Sequence, residues 1–217
     1  MNKSFGQSDP RLEKHVYEVF EPEDEVLAGI RARQTAAGLP DIQVAALDAL
    51  HLEVLVRAAG AKKAVEIGTL GGYSGVAILR GMGDGGRLDT FEIDAEHARV
   101  AADNFRRAGF AKNVSVHVGP ALAKLGEIEK DGPFDLVFID ADKEGYPAYL
   151  AWAAEHLRVG GMVLGDNAFL FGEIVDEPGA PRSRHMIEFH RQLARGGRFR
   201  STILPTGEGL ALGVKTR

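Results

Sequence analysis

Between residues 64 and 166 the sequence alternates short apolar runs with amphipathic stretches of helical periodicity. Apolar runs of this length, bounded by turn residues, are typical of buried strands, and their alternation with helices predicts βαβ units. Such units build a parallel sheet with helices on both faces. The predicted strands are Ala64–Gly68, Leu88–Asp94, Val114–Gly119, Asp135–Ala141 and Gly161–Asp166. The helices predicted between them are Ser74–Met82, Ala95–Ala108, Ala121–Lys130 and Tyr146–Leu157.

The two ends of the chain depart from this alternation. Residues 11–37 are charged, with scattered apolar residues at helical spacing, which predicts one or two surface helices. Apolar stripes predict further helices over residues 44–59 and 183–194. Near the C-terminus, residues 200–204 and 210–215 flank a turn that contains Pro and Gly, which predicts an antiparallel hairpin. We therefore expect an α/β fold of five parallel strands followed by that hairpin.

Composition excludes several classes of function. The chain has no cysteine, which rules out disulfides, thiolate metal sites and a cysteine nucleophile. Its net charge is −5 and it has no long basic run, so we expect no nucleic-acid partner. No apolar run approaches the length of a membrane span, and the polar start does not resemble a signal peptide. We therefore expect a cytoplasmic protein without a membrane partner.

Polar residues follow two of the predicted strands at the point where each strand ends. Asp140 closes one apolar run, and Asp166 and Asn167 close the next. Ligands of an open parallel sheet bind beyond the carboxyl ends of its strands, so we expect these three side chains to meet there. Two carboxylates and an amide oxygen are hard ligands that suit Mg²⁺ or a similar cation. Lys143 lies three residues after Asp140, close enough to act on a molecule that the metal holds.

A glycine-rich turn over residues 68–75 joins the first predicted strand to the following helix. Glycines at such a turn allow the backbone to approach a ligand closely. The spacing is not G-x-G-x-x-G, which argues against a dinucleotide pyrophosphate. Glu92 ends the second predicted strand, where a carboxylate can accept hydrogen bonds from ribose hydroxyls. The two features together favour an adenosyl ligand.

Five segments of the sequence carry a resemblance to a known family. They are VEIGTLGGYSG, FEID, GPAL, FIDADK and GDN. Together they resemble the class I S-adenosylmethionine-dependent O-methyltransferases of the cation-dependent branch, which includes catechol and caffeoyl-CoA O-methyltransferases. The resemblance runs from about Pro40 to the C-terminus. It implies a Rossmann-like sheet in a single domain over residues 1–217, S-adenosylmethionine and Mg²⁺ (or Mn²⁺ or Ca²⁺) as cofactors, and a homodimer. It also implies that residues 1–40 form a helical segment at the substrate entrance or the dimer contact.

The resemblance assigns roles by position. The residues that it places around S-adenosylmethionine are Val44, Glu66, Gly68, Thr69 and Ser74 at the methionine part, Glu92 at the ribose, Ala121 near the adenine, and Asp140. Asp140, Asp166 and Asn167 would hold the cation, and Asp140 would also face the substrate. Lys143 would be the general base. This agrees with the chemistry, because methyl transfer to oxygen needs a deprotonated oxygen held in line with the methyl carbon.

The sequence departs from the plant caffeoyl-CoA enzymes directly after the Asp-Asn pair. Those enzymes carry a Thr-Leu-Trp-Asn-Gly type of segment, whose tryptophan and asparagine face the substrate. Here Leu170 replaces the aromatic residue and Phe171 replaces the asparagine. We expect both side chains to reach the acceptor, and a site lined this way favours a compact or an apolar polycyclic catechol over caffeoyl-CoA.

Three other functions remain as alternatives to a catechol O-methyltransferase. One keeps the cofactor but methylates a non-catechol hydroxyl, an enol or an amine of secondary metabolism. Another is a nicotinamide-dependent oxidoreductase, which the glycine spacing disfavours. The third is a non-catalytic adenosyl-binding protein, which would have no need of the metal-binding trio or of Lys143.

Overall fold

The computed structural model describes residues 9–217, and its centre is a seven-stranded sheet in the order β3-β2-β1-β4-β5-β7-β6. Strands β1 to β5 pair in parallel, β7 runs antiparallel to β5, and β6 runs antiparallel to β7. The predicted α/β sheet with a C-terminal hairpin is therefore confirmed. The strands are β1 (Lys63–Ile67), β2 (Arg87–Glu92), β3 (Val114–Val118), β4 (Phe134–Ile139), β5 (Leu157–Gly165), β6 (Phe199–Leu204) and β7 (Leu210–Lys215).

Helices cover both faces of the sheet. They are α1 (Pro10–Phe20), α2 (Glu25–Ala36), α3 (Ala46–Ala58), α4 (Tyr73–Met82), α5 (Ala95–Arg107), α6 (Ala121–Lys124), α7 (Tyr146–His156), α8 (Glu173–Asp176) and α9 (Pro181–Arg195). Short 3₁₀ turns lie at Leu125–Glu127, Glu129–Asp131, Lys143–Gly145 and Leu170–Gly172. None of the helices within residues 9–217 is long and apolar enough to cross a membrane.

The central strand β4 shows how the sheet holds two cores apart. Val137 and Ile139 point to the core that contains α7 and α9, whereas Leu136 and Phe138 point to the core that contains α2 to α5. All four side chains are inaccessible to solvent. Each contributes roughly 1.5–3 kcal/mol by leaving water, so a strand of this kind is anchored on both faces and its carboxyl end is held rigidly.

Two predicted helical segments differ from the structure. The stretch 121–130 is not one helix, because α6 ends after four residues and two 3₁₀ turns follow it. The segment before residue 38 is only partly a surface element. Leu27, Ile30 and Gln34 of α2 are buried against the core, while α1 buries none of its residues. The first eight residues of the predicted N-terminal segment lie outside the described part of the chain.

Candidate active site

A cavity of about 1050 Å³ opens at the carboxyl ends of β1, β2, β4 and β5. It brings together most of the residues that the sequence analysis selected. Those that line it are Val44, Gly68, Thr69, Ser74, Glu92, Ala121, Asp140, Lys143, Asp166, Asn167 and Phe171. Among the selected residues, Glu66 and Leu170 do not line the cavity, because both side chains are buried in the protein.

The glycine turn after β1 is held against the end of β4. Gly68 has a φ of +97°, and a Cβ atom at this position would lie 1.9 Å from the carbonyl oxygen of Asp140. A side chain is therefore excluded twice, by the left-handed backbone and by the contact. The absence of a side chain lets the two strand ends approach each other, which places the glycine turn beside Asp140.

Glu92 is bonded to the backbone of the same turn. Its Oε2 accepts hydrogen bonds from the amides of Leu70 (2.8 Å) and Thr69 (3.2 Å), and its Oε1 accepts one from the amide of Asp94 (3.0 Å). Two carboxylate oxygens offer about four acceptor positions, so capacity remains for a ligand hydroxyl. The carboxylate therefore shapes the loop before any ligand arrives. His97, which the sequence analysis did not select, also lines the cavity, with Nδ1 3.7 Å from Glu92 Oε1.

Glu66 lies beneath the cavity wall and is 0% exposed. Its carboxylate accepts hydrogen bonds from the hydroxyls of Ser74 and Thr90, both at 2.6 Å. Burial raises the pKa of this carboxyl group to about 7, although the two hydroxyl bonds act in the opposite direction. The expectation that Glu66 itself contacts the cofactor is therefore corrected: the carboxylate orients Ser74, and Ser74 is the residue that reaches the cavity.

The predicted metal-binding residues meet at the ends of β4 and β5. The Asp140 amide donates to Ile67 O (2.8 Å) and the Asp166 amide donates to Ile139 O (3.0 Å), so both residues continue the sheet hydrogen bonding. Asp166 is 5% exposed, and Asn167 Nδ2 donates to its Oδ2 at 3.3 Å. Burial and the nearby charge of Asp140 raise the pKa of Asp166 to about 7.

This donor set fits a hard divalent cation. Within residues 9–217 no three His, Cys, Asp or Glu side chains are arranged for a metal. The predicted ligands Asp140, Asp166 and Asn167 are not such a group, because only two of them are carboxylates. Asn167 lines the cavity beside the two carboxylates, and because its Nδ2 donates to Asp166, its Oδ1 is left as a third oxygen donor. Two carboxylates and an amide suit Mg²⁺, which keeps several positions for water or substrate. A cation here would offset the repulsion that Asp166 experiences from Asp140.

Lys143 begins a 3₁₀ turn that Asp142 caps, since the amide of Gly145 donates to Asp142 Oδ2 at 2.8 Å. The turn folds the lysine back over the strand ends, where its side chain is nearly buried. Lys143 Nζ lies 3.3 Å from Asp140 Oδ1 and 2.7 Å from the hydroxyl oxygen of Tyr146. Tyr146 was not selected from the sequence, although its position three residues after the lysine was a usable signal.

The two residues expected to face the acceptor point in opposite directions. Leu170 is 1% exposed and packs in the core with α7 and α9, so the expectation that it reaches the acceptor is wrong. Phe171 lines the cavity mouth and is 74% exposed. Both residues have positive φ angles, +49° and +55°, and this tight turn sends one side chain inward and the next outward.

The turn that carries Phe171 is bonded to the β6–β7 hairpin. The amides of Ala168 and Phe169 donate to the carbonyl oxygens of Gly209 and Glu208, at 2.9 and 2.8 Å. The Phe171 amide donates to the Glu208 carboxylate at 2.6 Å. Glu208 lines the cavity as well, so the hairpin contributes directly to the cavity wall near Phe171.

Comparison with known proteins assigns this site to a family. The family described as O-methyltransferase matches residues 13–216 of the chain. The chain belongs to this family. That result confirms the resemblance to the S-adenosylmethionine-dependent O-methyltransferases that the sequence segments indicated, and with it the prediction of an enzyme.

Individual relatives agree with the assignment. A catechol O-methyltransferase of Mycobacterium tuberculosis is 46% identical over 71% of this chain and 70% of its own. One from Niastella koreensis is 33% identical over 94% of this chain and 92% of its own. A solved structure of an O-methyltransferase from Bacillus cereus in complex with SAH is 36% identical, with a TM-score of 0.88 over 94% of this chain and 97% of that one.

Proposed function

We propose that this O-methyltransferase transfers the methyl group of S-adenosylmethionine to one hydroxyl of a catechol-like small molecule, and that a divalent cation assists the transfer. The observation that carries the proposal is the buried carboxylate of Asp166 beside Asp140, in the same cavity as the glycine turn. Two neighbouring carboxylates, one of them 5% exposed, repel each other, and a bound cation would relieve that repulsion. Two similar proteins named catechol O-methyltransferase support the choice of acceptor.

Asp140, Asp166 and Asn167 are the residues that would hold the cation. Bound there, Mg²⁺, Mn²⁺ or Ca²⁺ would chelate two neighbouring oxygens of a catechol and lower the pKa of the hydroxyl that reacts. Phe171 at the mouth offers an apolar face to the aromatic ring of the acceptor. The protein thus supplies the ligands, the orientation and the apolar wall.

The cofactor would lie along the glycine turn on the other side of the cavity. When bound, S-adenosylmethionine supplies an electrophilic methyl group on a sulfonium. Glu92 would accept hydrogen bonds from the ribose hydroxyls, through the acceptor capacity that the three backbone amides leave open. Ser74, oriented by Glu66, would bind the methionine part. Both side chains are fixed in place by bonds within the protein, which reduces the entropy that binding must remove.

Lys143 would take the proton of the reacting hydroxyl. Its Nζ stands at the cavity wall next to Asp140, the residue shared by the cation site and the acceptor site. With the proton on Lys143, the acceptor oxygen would be free to take the methyl group that bound S-adenosylmethionine would supply. Atoms and charge balance without any further reactant.

Chelation tests the cation. Dialysis against EDTA should remove activity toward a simple catechol, and Mg²⁺ or Mn²⁺ should restore it, because cation polarisation supplies several kcal/mol of stabilisation. The cofactor affinity, measured by calorimetric titration, should change far less than the activity, since Asp140 is the one residue assigned to both ligands. Full activity after exhaustive chelation would refute the cation-assisted mechanism and favour a non-catechol acceptor.

Competition kinetics test the acceptor. We expect a higher kcat/KM for a compact catechol than for caffeoyl-CoA, because Phe171 at the cavity mouth offers an apolar contact and no hydrogen bond to a polar substituent. Phe171→Asn should narrow the difference. A clearly higher kcat/KM for the thioester in the unaltered enzyme would show that the argument from Phe171 is wrong.

We also propose a homodimer. Helix α1 has no buried residues, yet Leu12, Val19 and Phe20 expose apolar surface on it. Apolar side chains gathered on one exposed helix commonly mark an interface. Light scattering at micromolar concentration should return twice the chain mass of 23.3 kDa, and a mass near that value itself would exclude the dimer.

A further inference from the structure

We propose that Tyr146 is the positioning residue of the proton transfer: its hydroxyl holds Lys143 Nζ in the orientation in which the amine can accept the proton of the acceptor. The inference rests on the proposed role of Lys143 as general base. It adds a second residue to that step, one that never touches the acceptor, because Tyr146 is 0% exposed.

The hydroxyl of Tyr146 joins three parts of the site. It lies 3.0 Å from Ile139 O and 2.9 Å from Asp166 O, the carbonyls at the ends of β4 and β5, and its single hydrogen can be donated to either. Its oxygen accepts a hydrogen bond from Lys143 Nζ at 2.7 Å. Because the hydrogen is committed to the backbone, the oxygen faces the lysine only as an acceptor.

This arrangement restricts the lysine amine. A tetrahedral nitrogen has three positions besides its bond to Cε, and in Lys143 acceptors occupy two of them: Tyr146 Oη at 2.7 Å and Asp140 Oδ1 at 3.3 Å. The third position on the nitrogen is left for the proton that Lys143 accepts from the acceptor. Because Lys143 lines the cavity, the acceptor can approach this position from there. Without the tyrosine hydroxyl, a flexible four-carbon side chain could rotate that position away from the acceptor.

The tyrosine itself cannot move. It is the first residue of α7, and its ring packs edge-to-face against Phe189 of α9 with 5.2 Å between the ring centres. Lys143 Nζ also lies 4.5 Å from the centre of the tyrosine ring. A Tyr146→Phe change keeps the ring, its packing and this cation–π contact, and removes only the hydroxyl. The carbonyl of Ile139 keeps its bond from the Asp166 amide.

The test is a double-mutant cycle of Tyr146→Phe with Lys143→Ala, measured as kcat at saturating catechol, cofactor and Mg²⁺. Lys143→Ala should lower kcat by about 10²–10⁴-fold, the usual contribution of a general base. Tyr146→Phe should lower it by roughly 10–100-fold, since a misplacement of about 1 Å can cost 10²-fold. In the Lys143→Ala background the tyrosine change should have no further effect. The KM for S-adenosylmethionine and the Mg²⁺ concentration for half-maximal rate should stay within about twofold.

Trp152→Phe is the matched control for this cycle. Trp152 lies on the same helix, but its indole N–H donates to Glu129 at 3.3 Å and not to the lysine or to the residue that caps the lysine's turn. Its effect on kcat should multiply with that of Lys143→Ala. If Tyr146→Phe unfolds the protein in a thermal melt, 3-fluorotyrosine at position 146 takes its place in the cycle, since it weakens the acceptor oxygen and keeps the packing.

The outcomes separate the two proposals. An unchanged kcat in Lys143→Ala overturns the general base itself, and the inference on Tyr146 with it. A reduced kcat in Lys143→Ala with an unchanged kcat in Tyr146→Phe overturns only the inference. A tyrosine effect that persists in the Lys143→Ala background, or a weaker response to Mg²⁺, would show that Tyr146 acts through the backbone of Asp166, and would also overturn it.

Discussion

The two sides of the cavity treat buried carboxylates in opposite ways. On the cofactor side, Glu66 receives two hydroxyl hydrogen bonds and Glu92 receives three from backbone amides. On the acceptor side, the carboxylate of Asp166 accepts one side-chain bond within residues 9–217, from Asn167, and lies close to the charge of Asp140. The carboxylates of the first side are bonded by hydroxyls and backbone amides, whereas the two carboxylates of the second side share the charge of one neighbouring lysine, Lys143.

The difference indicates what each side contributes to the reaction. A cofactor that every reaction cycle uses is best met by a rigid, satisfied surface, because little ordering remains at binding. A site that activates an acceptor needs charged groups already arranged where charge develops, and Asp140, Asp166 and Lys143 are such groups. Changes on the two sides should therefore have different signatures: stability and affinity on the cofactor side, turnover on the acceptor side.

The largest expected effect is on turnover and comes from Asp166. Asp166→Ala should lower kcat by roughly 10³-fold or more, since it removes a ligand of a cation worth several kcal/mol to the transition state. The fold should remain, because a buried carboxylate that Asp140 repels is removed. The exposed Asp84→Ala is the control and should leave kcat unchanged. Steady-state kinetics measure kcat, and circular dichroism checks the fold. A fully active Asp166→Ala variant would contradict the proposed difference between the two sides of the cavity.

The next effect is on stability and comes from the glycine turn. Gly68→Ala should destabilise the protein by more than the roughly 1–2 kcal/mol that a left-handed alanine costs, because its Cβ also meets the Asp140 carbonyl at 1.9 Å. Gly38→Ala is the matched control, with a φ of +76° and open space around a Cβ. Urea denaturation of the two variants separates strain from steric exclusion. Equal losses would mean that the strand ends are not held as closely as described.

A smaller effect concerns cofactor affinity. Glu92→Ala should weaken S-adenosylmethionine binding by about 1.5–3 kcal/mol, the range for hydrogen bonds to a charged group. It should also loosen the glycine turn, since the amides of Thr69 and Leu70 lose their acceptor. Calorimetric titration measures the first effect and hydrogen exchange of those amides the second. Unchanged affinity would remove Glu92 from the cofactor site.

The smallest effect is a pH dependence of stability without metal. Asp166 has a pKa of about 7 in the folded chain and 3.8 as its ordinary value, so the folded state holds the extra proton between these limits. Its contribution to stability therefore falls as the pH rises through that window. The melting temperature of the unaltered protein should therefore decline between pH 4 and 8, and Asp166→Asn should reduce this decline. For a chain of this length, each kcal/mol of lost stability lowers the melting temperature by about 2–4 °C. If the melting temperature of Asp166→Asn declined as steeply as that of the unaltered protein, another group would cause the pH dependence. Glu66→Gln tests the other buried carboxyl group whose pKa is about 7.

Sequence reasoning placed the sheet, its order of elements and the cavity-lining acids, because these depend on apolar periodicity and on residues that follow strand ends directly. It failed where a backbone conformation decides the outcome. Leu170 and Phe171 both have positive φ angles, which are uncommon for such residues and which their residue types do not signal. The resulting turn places Leu170 in the core, although its neighbour Phe171 stays at the cavity mouth.

The other errors have similar causes. Glu66 was expected at the cofactor because the family resemblance assigned it there by position, but a strand alternates its side chains, and this one faces the hydroxyls of Ser74 and Thr90. The predicted helix 121–130 ignored Gly126, which weakens a helix interior, and the structure shows 3₁₀ turns there. Tyr146 was missed although it follows Lys143 by three residues, because its contact with the Asp166 carbonyl appears only when β4 and β5 lie side by side.

The bonds between the turn 168–172 and the hairpin turn 205–209 matter for redesign of this enzyme. Main-chain and carboxylate contacts tie the two segments together, so neither keeps its shape if the other is replaced. A donor sequence that is transplanted into only one of them would lose its acceptors or donors on the other. Acceptor preference is thus inherited as a pair of segments, and libraries that recombine both from one parent should retain more active clones than libraries that vary each alone.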